Sequence, residues 1–170
     1  MVMVESLDAG PVFDVSEVEI SDSDNRISLE KKLVAKAKSN IVDVIQKISN
    51  GLQPVSQGDN NVSYCRKITK EDGKINFEET AKEIFNKYRA FSGWPGTYFQ
   101  YKDTTIKIHG MRIIELDSDD TPGTILDVTK DGIQIKVNDS VIVITHIQLP
   151  GKKIINSSDI YNSYKDFFVQ

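Results

Sequence analysis

Few side chains in this 170-residue chain have both the type and the setting for chemistry, and Asp8 is the first of them. It sits in Ser6-Leu7-Asp8-Ala9-Gly10-Pro11-Val12, where a short apolar run meets a turn. A carboxylate held at such a corner can orient an imidazole, stabilise the charged form of a neighbour or relay a proton. An Asp ahead of Ala-Gly-Pro is equally a plain turn former, and spacing alone favours that reading. The two histidines, His109 and His146, fall in segments that alternate like strands. Neither has a carboxylate or cysteine at ligand spacing, so no metal site is expected. Cys65, the single cysteine, excludes an internal disulfide and is read as incidental.

The cations form the other candidate group. Lys67, Lys70, Lys74, Arg89, Lys152 and Lys153 fall where folding could gather them against a phosphate backbone. Loop lysines ordinarily just keep a surface soluble, and Glu71, Asp72 and Glu78 dilute the patch. With 21 Lys+Arg against 25 Asp+Glu and a net charge of -4, bulk charge does not hold this protein to nucleic acid. No apolar run approaches the ~18 residues of a membrane span. There is no basic, apolar-cored leader, so a cytoplasmic protein with no membrane partner is expected.

Several elements must position these residues. Residues 1–20 read as a strand, the Asp8 turn and a second extended segment through Val12, Val15, Val18 and Ile20. A helix follows with Ser28 as N-cap. Leu29, Leu33, Ala37, Ile41, Val44, Ile45 and Ile48 form its stripe, and Asn50-Gly51 its stop. One helix and a strand pair leave that stripe with too little to pack on. Residues 51–66 have the Gly, Pro, Ser and Asn content of a linker.

Beyond the linker, Asn76 and Glu79 are spaced as a capping box. Ala81, Ile84, Phe85, Tyr88 and Phe91 line one face of the helix that follows, before Gly93 and Pro95 end it. From Thr97 the period drops to two, with five short strands and turns at Lys102-Asp103, Pro122-Gly123, Asp131-Gly132 and Asn138-Asp139. Five evenly spaced strands suggest a partly open barrel of OB type. Trp94, Tyr98 and Phe99 are expected to cover its open end. A last amphipathic helix runs from Ser158 through Phe167.

Two separated motifs resemble methionyl-tRNA formyltransferases. Ser6 to Val12, SLDAGPV, is similar to the LDxG turn of enzymes that take a formyl group from 10-formyltetrahydrofolate. Arg89 to Tyr98, RAFSGWPGTY, is similar to the segment closing the first helix of that family's C-terminal domain. YCRKITKEDGKINF, PGTIL, GIQI, LPGKK and the closing DFF follow the same pattern.

The resemblance implies an α+β chain in three parts. Residues 1–50 would be the tail of a Rossmann-like formyltransferase domain, 51–66 a linker, and 67–170 an OB-like barrel with flanking helices. It implies a catalytic origin for Asp8, with Leu7 and Asp8 near the folate co-substrate, and initiator methionyl-tRNA as the partner of the six basic residues. The family's catalytic Asn-x-His has no counterpart here, since His109 and His146 both lie downstream of Asp8 and neither is preceded by that Asn. The chain alone is therefore expected to be inactive, to bind no folate by itself, and to work with a separate N-terminal formyltransferase half. Two alternatives stay open: part of a sugar-nucleotide formyltransferase, or an RNA-binding module without catalysis.

Overall fold

In a computed structural model, residues 1–58 and 62–169 are described, so residues 59–61 of the expected linker lie outside them. The chain forms two compact units, Met1–Lys67 and Ile68–Gln170.

The first unit is built around one long helix, α1 (Arg26–Ser49). Its N-cap is Asn25, not Ser28: Asn25 Oδ1 accepts from the Ile27 and Ser28 amides at 2.9 and 3.0 Å. Ser28 Oγ returns the contact by accepting from the Asn25 amide at 3.0 Å. Ser28 is thus the N3 member of a reciprocal box, which satisfies more of the orphan first-turn groups than Ser28 as cap would. Asp24 reinforces this end, accepting from the Ser21 amide, Ser28 Oγ and Lys32 Nζ. The far end closes at Asn50-Gly51, with Gly51 at φ 92° and the Leu52 amide donating back to Lys47.

None of the 24 residues of α1 is buried. Leu33, Ile41 and Ile45 of the apolar stripe are 50, 53 and 55% exposed. A groove of about 570 Å³ runs between this stripe and Phe13, Asp14, Ser16 and Val18. The two strands expected in residues 1–20 do not form. Only an isolated antiparallel bridge joins Val12 to Val55, because the segment has no other strand beside it to complete a ladder.

The second unit begins with a 3₁₀ turn, Glu71–Gly73, followed by α2 (Ala81–Ala90). The capping box lies four residues beyond the expected one: Thr80 caps α2 and Glu83 reaches back to it. Asn76 instead closes the preceding turn, accepting from the Glu78 amide through Oδ1 at 3.2 Å. The strands are β1 (Thr97–Tyr101), β2 (Thr104–Ile114), β3 (Ile125–Thr129), β4 (Gly132–Lys136), β5 (Val141–Gln148) and β6 (Ile154–Asn156), and α3 (Ser157–Val169) ends the unit.

All strand pairings are antiparallel, in the order β1-β2-β5-β4-β3, with β6 also on β5. β4 and β6 share one edge of β5, pairing with Val141–Ile144 and with His146–Gln148. The sheet is open, a correction to the expected barrel. Among the described residues no ladder joins β1 to β3; instead α3 packs against β3 and β4, and its buried Ile160 and Phe168 complete the core. Ile84 of α2 and Ile106, Ile133, Ile142, Ile144 and Ile147 of the sheet are fully buried around them. β6 is an addition to the five expected strands, too short to show alternation in sequence.

Candidate functional site

The Asp8 turn is held by hydrogen bonds from two segments, one carrying Val55 and Gln57 and the other Val2. Asp8 has φ 55°, a left-handed conformation that Asp adopts more readily than most residues. Gln57 Nε2 donates to the carbonyls of Asp8 and Gly10 at 2.8 and 2.7 Å. Val12 and Val55 exchange two backbone bonds of 2.8 Å, and the Val2 amide donates to Pro11 at 2.8 Å. Gly10 is required here, since a Cβ would stand 1.8 Å from the Val2 carbonyl oxygen.

What this turn presents is an exposed carboxylate with no side-chain partner among the described residues. Leu7 is 96% exposed beside it. The pair makes a ledge without walls, so Leu7 and Asp8 do not by themselves fit a folate. Among the described residues no group of His, Cys, Asp or Glu is arranged to hold a metal ion, and no helix is long and apolar enough to cross a membrane.

The basic residues divide. Lys67 is exposed at the end of the first unit. In the second unit Lys70 is exposed before the 3₁₀ turn, and Arg89 is half-buried with Nε donating to Asn86 Oδ1 of its own helix at 2.9 Å. Lys74 is drawn to β1 by a parallel bridge with Tyr98, whose carbonyl accepts from the Ile75 amide at 2.8 Å. Tyr98 is the register partner of Lys107 on β2.

Lys107 in turn lines a hollow with Leu149, Pro150 and Gly151, at the start of the turn that carries Lys152 and Lys153. That turn is fixed by the Lys152 amide donating to the Leu149 carbonyl and by Gln148 Nε2 donating to the Lys152 carbonyl, both at 3.0 Å. Gln148 Oε1 accepts from His109 Nε2 at 3.3 Å. Lys74, Lys107 and the Lys152 turn are therefore linked across one end of the sheet. Lys107, His109 and Gln148 were not among the sequence candidates; their only signal is the exposed phase of β2 and β5, which does not report what a strand lies beside.

Next to them an open cavity of about 210 Å³ is lined by Tyr88, Phe91, Thr97, Tyr98, Lys107 and His109, among others. Burial pushes the Tyr88 phenol up from its ordinary value, so it stays a donor, and its Oη donates to the His109 carbonyl at 3.1 Å. Thr97 is buried, and its Oγ1 has no hydrogen-bond partner. The expected aromatic cover is only partly formed. Phe99 is in the core against Phe77, whereas Trp94 is 53% exposed, because the turn through Gly93 (φ 89°) and Gly96 (φ 77°) carries it outward.

Residues 67–165 match the family described as formyl transferase, C-terminal domain. The chain belongs to that family. Methionyl-tRNA formyltransferases from Sulfurihydrogenibium sp. and Caldicellulosiruptor saccharolyticus are each 36% identical to it over 167 residues, 97% of this chain but 54 and 53% of theirs. The enzyme of that name from Francisella philomiragia is 35% identical over 162 residues, covering 51% of its length. This chain thus spans about half the length of those relatives.

Crystal structures of HypX from Aquifex aeolicus share the fold. One variant has a TM-score of 0.64 at 18% identity, covering 94% of this chain and 30% of that one. HypX in complex with tetrahydrofolic acid has a TM-score of 0.61 at 17% identity, covering 92 and 28%.

Proposed function

We propose that this chain is the tRNA-binding C-terminal portion of a cytoplasmic methionyl-tRNA formyltransferase, preceded by the tail of its catalytic domain. The observation that carries the reading is the alignment with enzymes of that name along 97% of the chain. Initiator methionyl-tRNA is the partner, with Lys74, Lys152 and Lys153 the foremost phosphate contacts and Lys67, Lys70 and Arg89 further candidates. The exposed ends of Lys152 and Lys153 on a turn fixed by Gln148 support this, since a preorganised turn loses little freedom when it meets a phosphate.

Asp8 is the catalytic carboxylate of an incomplete site. Acyl transfer to an amine needs a donor set for the developing oxyanion and a group to take the amine proton. Asp8 supplies at most the second, and His109 and His146 are committed to Gln148 and Thr145 in the other unit. Formyl transfer from 10-formyltetrahydrofolate therefore requires groups that residues 1–170 do not supply. The names of the relatives favour methionyl-tRNA over a nucleotide sugar as acceptor.

The test is formylation of methionyl-tRNA by the purified chain. No turnover is expected. Turnover equal in the parent and Asp8→Ala would remove both the inactivity and the role of Asp8.

A further inference from the structure

The outward face of β1, β2, β5 and β6 has a composition that the proposed phosphate contacts do not use. None of these strands contains an Asp or Glu, in a chain that holds 25 of them, and the first carboxylates lie beyond the strand ends, as at Asp103 and Glu115. Ile106, Ile108 and Ile147 are buried in the core, so Lys107, His109 and Gln148 stand on the opposite, outward side. Tyr98, the register partner of Lys107, is the one Tyr, Phe or Trp on that side of the strands.

The hydrogen bonds at the centre of this face fix the proton on His109. The Lys152 carbonyl can only accept, so Gln148 turns its Nε2 toward it, at 3.0 Å. Gln148 Oε1 is then the atom that meets His109 Nε2 at 3.3 Å, and an acceptor there requires Nε2 to carry the proton. In the neutral ring this leaves Nδ1 a bare acceptor. His109 is exposed, and its Nδ1 has no partner among the described residues. β2 and β5 shift register on either side of Gly110, the kind of irregularity that re-aims a strand side chain, and His109 lies within it.

Cations without carboxylates attract phosphates, and a bare acceptor beside them takes a hydroxyl. A sugar–phosphate backbone offers both only when it is RNA, whose 2′-hydroxyl is a donor that DNA lacks. With one tyrosine and no row of rings, the strands give successive bases nothing to stack on, which favours a paired stem over a single strand. A hollow of about 180 Å³ between Lys107 and Gly151 admits a sugar edge but not a whole small ligand.

We infer that this face seats the backbone of an RNA stem, with phosphates on Lys107 and the Lys152-Lys153 turn and a 2′-hydroxyl donating to His109 Nδ1. The inference rests on the RNA-binding reading above and adds to it a preference for RNA over DNA that depends on one ring nitrogen.

The full chain, labelled with nitrogen-15, is titrated with a short RNA hairpin stem, a DNA hairpin of the same sequence, a single-stranded RNA and initiator tRNA. The parent should bind the RNA stem about three- to tenfold more tightly than the DNA. The amides of Lys107, His109, Gln148 and Lys152 should shift, and the imidazole nitrogen spectrum should show His109 protonated at Nε2. His109→Phe keeps a flat ring without the nitrogen, so its affinity for the RNA stem should fall to that for DNA while DNA binding changes little. Lys107→Gln should weaken RNA and DNA alike and lower the salt slope of each by about one unit.

Equal binding of the RNA and DNA stems by the parent overturns the inference, as does an RNA-to-DNA ratio that His109→Phe leaves unchanged. Tighter binding of the single strand overturns it too, and so does tRNA binding that excludes the stem or leaves these four amides still; in each case the RNA reading survives. Should a variant fail to fold, the ratio and amide shifts of the parent decide. If the parent binds neither tRNA nor any other RNA, the RNA reading and this face fall together.

Discussion

Replacing Ile84 and replacing Ile41 by alanine make the same chemical change on helices with opposite surroundings. Ile84 of α2 is fully buried and belongs to the core of the second unit. Truncating a fully buried isoleucine costs about 2–5 kcal/mol, the lost transfer energy plus a cavity that neighbours refill only in part. A unit of this size loses roughly 1–1.5 kcal/mol per molar urea, so a central loss of ~3 kcal/mol moves its unfolding midpoint down by about 2 M or more. Ile41 of α1 is 53% exposed. Half its transfer energy is already unrealised, no enclosed cavity results, and alanine raises helix propensity by about 0.4 kcal/mol, so the net cost stays below ~1 kcal/mol.

The assay is urea unfolding with amide hydrogen exchange resolved by unit. Ile84→Ala should shift the midpoint of the second unit and speed its slowest amides. Ile41→Ala should change neither unit appreciably, with α1 amides already fast in both chains. If Ile41→Ala costs as much as Ile84→Ala in a chain shown to be monomeric, the stripe of α1 is covered and the account of the first unit is wrong. The same loss in a dimer would identify a second copy as the cover.

Three other outcomes follow from particular contacts. Gly132→Ala places a Cβ 2.4 Å from the Ile144 carbonyl oxygen at φ 137°, so it should destabilise the β3-β4-β5 region by about 1–3 kcal/mol, read from the same urea curves. The Lys32 ammonium, then the Ser21 amide, hold the Asp24 carboxyl well below its ordinary value. A depressed folded-state value means that its stabilisation is present above the unfolded value near 3.9 and is lost as pH falls through the lower folded one. Circular dichroism of α1 should therefore decline below about pH 4 in the parent and lose that step in Asp24→Asn. Lys152→Gln/Lys153→Gln should lower the slope of log affinity for tRNA against log salt by about one unit for each true phosphate contact. An unchanged slope in a folded variant would make both residues plain surface charge.

The parts legible in the sequence were those set by local period. The alternation of TIKIHGMRII and SVIVITHIQ, and the three-four spacing of Ala81, Ile84 and Tyr88, correspond to β2, β5 and α2. Caps were legible in type but displaced in position. At α1, Asn25 prevailed over Ser28 because Ser28, three residues on, returns its bond; at α2, Asn76 had Glu79 at the same spacing, but its side chain closes the preceding turn onto Glu78, so the box forms at Thr80 and Glu83. Closure of the sheet was not legible, because whether β1 meets β3 depends on long-range pairing and on where α3 packs. Nor was the pairing of Gln57 with the Asp8 turn, 49 residues away inside an expected linker. Thr97 reads from sequence as an ordinary strand threonine, and only its unpaired hydroxyl singles it out.

The central claim, that of the proposed function, is that this chain holds tRNA for a reaction whose remaining groups lie outside residues 1–170. Its most direct test is a mobility-shift titration with initiator tRNA, with and without a separately expressed polypeptide spanning the other half of the methionyl-tRNA formyltransferase relatives, and formylation followed in the same mixtures. The account predicts weak, salt-sensitive binding by the chain alone, tighter binding by the pair, and formylation only by the pair and only with Asp8 intact. Tight binding and formylation by the other half alone, unchanged when this chain is added, would contradict it.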